Sequence, residues 1–206
     1  MTSANVTWHE GVISRAERWR ALGQRGATVW FTGLPASGKS TIASAVEARL
    51  VRKGRSAYRL DGDNLRHGVC GDLGFSPEDR DENVRRCAEV ARLFADAGAI
   101  ALVSVVSPFA SGRRAARELH ERDGLRFIEV FVNTPIEECM RRDPKGLYAR
   151  ARAGELKGMT GVDAPYEPPS APDLELCGPC DVDEAVERVL AVLDPQPAVS
   201  DLRSAR

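Results

Sequence analysis

The sequence predicts an α/β fold: a parallel five-stranded sheet with helices on both faces and a mobile lid. Three observations predict it. Short apolar, β-branched runs alternate with amphipathic stretches along the chain, the pattern of parallel strands joined by helical crossovers. Gly33-Leu-Pro-Ala-Ser-Gly-Lys-Ser40 fits G-x-x-x-x-G-K-[S/T], and it lies between one such run and one such stretch. Residues 143–172 hold much of the chain's Gly and Pro and no long periodic pattern, and a loop of that length inside a compact domain is usually a functional lid.

The elements follow in order. Residues 1–27 read as an N-terminal arm in which Ile13 to Leu22 forms one short helix. Residues 28–193 read as one domain around the phosphate-binding loop, or P-loop. Thr28-Val-Trp-Phe-Thr32 is a buried strand, and Thr41 to Leu50 an amphipathic helix. Ser56 to Asp61 is a second strand that ends in a carboxylate. Pro77 to Ala97 is a long helix. Val84, Cys87, Ala88, Ala91, Leu93, Phe94 and Ala95 form its apolar stripe, and Gly98 closes it. Ala99 to Val106 is a continuous apolar run, hence a central strand. Arg113 to Arg122 is a helix, Phe127 to Val132 a fourth strand, and Pro135 opens another helix in its first turn. Leu174-Glu-Leu176 is a short last strand and Val182 to Leu193 the closing helix, with a disordered tail over 194–206.

Composition narrows the function. The chain has 206 residues, enough for one sizeable core, and 29 basic against 30 acidic side chains. A net charge of −1 offers no global field for nucleic acid or an anionic membrane surface. The pairs Arg85-Arg86, Arg113-Arg114 and Arg141-Arg142 can each grip a phosphate or sulfate, or simply face solvent. No apolar run reaches the ~20 residues of a membrane span, and the N-terminus lacks the order of a signal peptide, so a cytoplasmic protein is expected. Five cysteines do not suggest a disulfide framework. Cys177-Gly-Pro-Cys180 reads as a tight turn carrying two thiols, with a local regulatory disulfide as the other reading.

The chemistry is expected where the strands end. The loop of Gly33, Leu34, Pro35, Ala36, Ser37 and Gly38, continued by Thr41, would cradle the phosphates of ATP, every residue but Pro35 offering a backbone N–H. Lys39 would reach the β- and γ-phosphates, and the Ser40 hydroxyl would ligate Mg²⁺. Asp61 and Asp63 follow the second strand: one can hold Mg²⁺ through water, the other can orient or deprotonate an acceptor hydroxyl. A lone Asp at such a place also serves as a helix N-cap. Arg66 and Arg80 can clamp an anionic acceptor, with Asn83 on the same helix face as Arg80. Phe75 can stack on a base or staple the core, and Ser107-Pro-Phe109 ends the central strand at the same mouth.

These residues resemble the adenylylsulfate kinases (APS kinases), from about Asn5 to Leu193. The resemblance runs through Trp8-His9, Gly33–Ser40, Leu60-Asp-Gly-Asp-Asn-Leu-Arg-His-Gly68, Leu73-Gly-Phe-Ser76, Asp79-Arg80, Glu82-Asn83 and Arg85-Arg86. It continues with Ser107-Pro-Phe109, Arg141-Arg-Asp-Pro-Lys-Gly-Leu-Tyr148, Lys157, Thr160-Gly161 and Ala164-Pro-Tyr-Glu167. It implies a P-loop kinase domain over residues 28–193 that transfers the ATP γ-phosphate to the 3′-hydroxyl of adenosine 5′-phosphosulfate (APS). The product is 3′-phosphoadenosine 5′-phosphosulfate. It implies that Arg66, Arg80, Asn83, Lys157 and the backbone after Phe109 bind the acceptor, that Asp61 and Asp63 serve Mg²⁺ and the 3′-hydroxyl, and that Arg142 lies against the ATP adenine. It also implies a lid around Lys145–Gly161 and a homodimer with the N-terminal arm near the site. Family members are described with a phosphoserine at the position of Ser107; direct in-line transfer is favoured here, because aligned substrates need no intermediate.

Two positions depart from the family pattern. Met159 stands before Thr160-Gly161 where a Phe would sandwich the acceptor adenine with Phe75, which implies weaker acceptor binding. Ala110 stands where an Arg commonly follows Ser-Pro-Phe, although Arg113 and Arg114 follow closely. Kinase chemistry on a different nucleotide or small metabolite is therefore the alternative reading. A nucleotide-binding module without catalysis would show damage to Lys39, Ser40, Asp61, Asp63 or Arg80, and all five are present.

Overall fold

The computed structural model describes residues 6–7, 9, 11–178 and 180–194. Trp8, Pro179 and the tail from residue 195 lie outside these residues. Five strands, β1 (Ala27–Thr32), β2 (Ala57–Asp61), β3 (Ile100–Ser104), β4 (Arg126–Asn133) and β5 (Leu174–Cys177), form one parallel sheet in the order β2-β3-β1-β4-β5. This is the five-stranded parallel sheet that the alternation of runs predicts.

Eight helices are described: α1 (Arg15–Leu22), α2 (Lys39–Arg52), α3 (Gly62–Leu65), α4 (Pro77–Ala97), α5 (Ala110–Arg122), α6 (Ile136–Arg142), α7 (Leu147–Arg152) and α8 (Val182–Leu193). Strand side chains alternate between faces, so each strand feeds two cores. Val29, Phe31, Leu102 and Val130 pack with Ile42, Val46 and Leu50 of α2 and Val186, Val189 and Leu193 of α8. Trp30, Ala101, Val103 and Phe127 pack on the opposite face with Val84, Cys87, Ala88 and Ala91 of α4 and Ala116 of α5.

The ends of α4 fall where the sequence places them. The N–H of Asp79 donates to Ser76 Oγ at 3.1 Å, Pro77 opens the first turn, and Gly98 ends the helix left-handed. Within the arm, α1 lies on the end of α4: Trp19 Nε1 donates to Asp96 O, and Arg15 and Arg18 pair with Asp96.

Several elements differ from expectation: β3 ends at Ser104 rather than Val106, Pro135 is the N-cap of α6 rather than part of its first turn, and Gly62–Leu65 forms the short helix α3. Helix α5 starts at Ala110 rather than Arg113, because Phe109 remains extended and the helix begins directly behind it. The segment 143–172, expected to be a lid, contains α7, whose six residues are too few to show a 3.6-residue period. The outer faces of Arg85-Arg86 and Arg141-Arg142 pair with Glu82 and Glu138 on their own helices. Cys177 and Cys180 are free thiols, and the N–H of Gly178 between them donates to Asn133 O.

Candidate active site

The site lies at the carboxyl ends of β1, β2 and β3. Gly33 leaves β1 at φ 147°, and a Cβ there would stand 2.5 Å from Val132 O, so only glycine fits. Ala36 and Gly38 are left-handed, and α2 begins immediately behind them. Such a turn before a helix N-terminus makes a concave set of N–H groups suited to phosphate. Pro35, Ala36, Gly38, Lys39, Ser40 and Thr41 line a cleft of about 840 Å³. Gly33, Leu34 and Ser37 do not line it. Thr134 Oγ1 donates to Ser37 O at 2.8 Å, and Tyr148 OH donates to Pro35 O at 3.0 Å, so the loop is held from behind.

Lys39 is 7% exposed, and its Nζ donates to Gly33 O (2.9 Å), Leu34 O (2.7 Å) and Ser37 Oγ (3.3 Å). Burial pulls its ammonium down to about 8. Arg142 lies beside Gly38, with Nη1 3.4 Å from Ser37 O and Nε donating to Glu138.

Asp61 is both the N-cap of α3 and a wall of the cleft. Its Oδ1 accepts from the N–H of Asp63 (3.1 Å), and its Oδ2 accepts from Arg59 (2.7 Å) and Ser104 Oγ (3.1 Å). Burial works to raise its carboxyl, but hydrogen bonds from Ser40, Asp63 and Ser104 and the Arg59 charge outweigh it and hold Asp61 below its ordinary value. Ser40 Oγ is 2.9 Å from Ser104 Oγ, so hydroxyl and carboxylate share one end of the cleft. Two hard oxygen donors, one an ionised carboxylate, fit Mg²⁺, which keeps several waters and takes few protein ligands. The exposed Asp63 meets Lys145 of the lid in an ion pair.

Across the cleft, Arg66 and Arg80 flank Phe75, with guanidinium carbons 4.3 and 5.7 Å from the ring centre. Phe75 is 63% exposed, so its ring is presented rather than packed away. Arg66 Nη1 donates to Leu73 O and Gly74 O. Arg80 donates to Phe75 O, to Thr160 Oγ1 (2.9 Å) and to Gly158 O (2.6 Å), reaching into the lid. Asn83 is buried at the cleft wall, and its Oδ1 has no hydrogen-bond partner among the described residues. A buried acceptor left unpaired is costly, so the cleft favours a ligand that donates to it.

Ser107 and Pro108 line the cleft, whereas Phe109 caps α5 away from it. Ser107 Oγ is buried, accepting from Trp30 Nε1 (3.1 Å) and donating to Thr32 Oγ1 (2.9 Å). In the lid, Lys157 is exposed and Thr160 buried, and both line the cleft. Met159 also lines it but is 5% exposed, packed with Cys139 and Tyr148 in a small core that Leu34, Ile136 and Leu156 extend. Gly161 does not line the cleft; it packs against the Leu34 side chain.

A family model described as adenylylsulphate kinase matches residues 25–177. The chain belongs to the adenylyl-sulfate kinase family. It is 51% identical over 191 residues to the adenylyl-sulfate kinase of Marinobacter nauticus, covering 92% of this chain and 95% of that one. It is 55% identical over 174 residues to that of Saccharomyces cerevisiae, covering 84% and 86%. Its structure is similar to the Mycobacterium tuberculosis APS kinase CysC in complex with AMPPNP and APS. The TM-score is 0.81, with 54% identity over 83% of this chain and 99% of the other.

Three cleft residues of this family member escape a reading from motifs. Ser104 bridges Ser40 and Asp61, but in the sequence it lies inside the apolar run from Ala99 to Val106. Tyr148 sits behind the P-loop, and only its place in the Arg141–Tyr148 string marks it. Lys145 lies in the same string, but nothing in the spacing pairs it with a residue 82 positions away.

Proposed function

We propose that this chain transfers the γ-phosphate of ATP to the 3′-hydroxyl of APS, giving 3′-phosphoadenosine 5′-phosphosulfate. One observation carries the reading: a single cleft brings the P-loop and Asp61 face to face with Asp63, Arg66, Phe75, Arg80 and Asn83. The family membership and the likeness to a kinase holding AMPPNP and APS support the same substrates.

On this reading the P-loop N–H groups and Lys39 hold the β- and γ-phosphates, and Arg142 lies against the adenine side. Ser40 directly, and Asp61 through water, would hold Mg²⁺, which when bound neutralises phosphate charge. Arg66, Arg80 and Lys157 take the phosphosulfate, and Phe75 stacks on the acceptor base. Because Met159 is packed into the lid core, that stack rests chiefly on Phe75. Asp63 orients the 3′-hydroxyl and accepts its proton as the phosphoryl group crosses in line. Phosphoryl transfer gains most from alignment and charge stabilisation, which this set of positioned cations supplies.

No helix among the described residues is long and apolar enough to cross a membrane. The reading extends to a cytoplasmic homodimer, whose mass sedimentation velocity measures. The activity is tested with purified protein, MgATP and APS, read by mass spectrometry beside other 5′-nucleotides as competing acceptors. Rapid formation of 3′-phosphoadenosine 5′-phosphosulfate supports the reading, and phosphorylation of another acceptor in its place overturns it.

A further inference from the structure

Arg113 on α5 is 3% exposed and does not line the cleft, yet it touches what does. Its Nε donates to Glu129 Oε1 of β4 at 2.8 Å, its Nη1 to Ser107 O at 2.7 Å, and its Nη2 to Glu167 O at 2.7 Å. Its guanidinium also lies 5.8 Å from the Tyr166 ring centre. One rigid fork therefore joins the sheet, the loop after β3, and a strap, residues 162–173, that leads from Gly161 to β5.

The loop after β3 needs such support. Ser107 has φ 41°, an uncommon conformation for a residue with a side chain, which persists only when its surroundings fix it. Trp30 and Thr32 hold its hydroxyl from the sheet side. Glu167 holds the following residues from the strap side: its N–H donates to Pro108 O at 2.8 Å, and its Oε2 accepts from the N–H of Ala110 at 2.7 Å. Tyr166 OH is 3.0 Å from Thr32 Oγ1, which ties the strap to the same sheet end. Just before Tyr166 and Glu167, Gly161 N–H donates to Ala164 O, closing the turn that carries Thr160 to Arg80.

We propose that Arg113 and Glu167 form a brace that sets the Ser107–Phe109 loop for the acceptor nucleotide and couples that loop to the lid. The proposal rests on the reading that the acceptor binds this loop. Both are positioning residues. The Arg113 charge is satisfied internally by Glu129, and the exposed Arg114 faces Glu118, so neither replaces the arginine that Ala110 lacks. The backbone N–H of Ala110 is likewise engaged by the strap.

The test uses Glu167→Ala, a change at an exposed side chain, and Arg113→Lys, which keeps the charge opposite Glu129 but loses the fork. The expected result is an APS KM raised about fivefold to tenfold, the scale of one lost hydrogen bond, with the ATP KM unchanged. Glu167→Gln keeps an oxygen for the Ala110 N–H and should return the APS KM to near the wild-type value. A purely structural role would instead lower Tm and the active fraction in both variants while leaving both KM values alone, and that result overturns the proposal. Failure of the wild-type protein to phosphorylate APS would overturn the acceptor reading itself, and the brace with it.

Discussion

Raising the pH from 7 to 10 should make this enzyme slower and more stable at once, and Lys39 is the reason. Burial draws its ammonium from 10.5 to about 8, a cost to the charged form of about 3 kcal/mol relative to water. The unfolded chain keeps the ordinary value, so between pH 8 and 10.5 the unfolded state binds more protons. Stability from this group therefore rises across that window, by up to about 3 kcal/mol. Activity moves the other way, because a neutral amine cannot stabilise charge on the transferring phosphoryl group. Above pH 8, kcat/KM for MgATP should fall about tenfold per pH unit, the behaviour of one essential proton. Bound phosphates favour the ammonium, so kcat itself should turn down only at higher pH. The assay is ADP release at saturating APS from pH 6.5 to 10, beside urea unfolding over the same range. Lys39→Met should lose about a hundredfold to a thousandfold in kcat, the effect of removing one charge-stabilising donor. It should also flatten the stability rise between pH 8 and 10.5. A kcat/KM that stays level to pH 10, or a stability rise that survives in Lys39→Met, refutes the reasoning.

Three further outcomes are expected. Ser107→Ala should keep turnover within about tenfold of wild type, since the hydroxyl serves the hydrogen bonds of Trp30 and Thr32 rather than the phosphoryl group. A loss of about 10⁴-fold, or a trapped phosphoserine, would sink direct transfer. Met159→Phe places a ring where the side chain both lines the cleft and packs in the lid core, and it should lower the APS KM. An unchanged or raised value in steady-state kinetics counts against base stacking at that position. Gly33→Ala drives a Cβ to 2.5 Å from Val132 O and adds a side chain at φ 147°, so nucleotide affinity measured by calorimetry should collapse. Wild-type affinity in that variant would show that the loop tolerates a shift.

The sheet was legible because each strand is a short apolar run bounded by polar turns, and each crossover has a helical period. The long helix was legible to the residue because Ser76, Pro77 and Gly98 mark its ends chemically. The six-residue α7 was not, being shorter than two turns. Motif spacing placed Lys39, Asp61, Arg66 and Arg80 around the mouth where the strands end, but it carried no information on which way Met159 would face. Burial there depends on Cys139, Tyr148 and Leu34, which are distant in sequence and meet only after folding. The same holds for Arg113. As part of an Arg-Arg pair it reads as a solvated or anion-gripping residue, and only the closure of β4, α5 and the strap around it makes it internal.

The two halves of the cleft are built to different standards of rigidity, and their hydrogen bonds say why. On the ATP side, strand and helix backbone fix the loop, with Thr134 and Tyr148 gripping its carbonyls from behind. On the acceptor side, the cations hold to loop and lid instead. Arg66 uses one nitrogen on Leu73 O and Gly74 O, and its remaining N–H groups have no protein partner among the described residues. Arg80 uses all three nitrogens, two of them on the lid. An anionic acceptor can therefore bind Arg66 without breaking any contact, but at Arg80 it must share or displace Thr160 and Gly158. On the proposed function, Arg80 would sense residues 158–160 and the acceptor together, whereas Arg66 would sense the acceptor alone. Pre-aimed donors lower the ordering cost of binding, and on the proposed function a donor shared with residues 158–160 would couple the placement of that segment to acceptor binding.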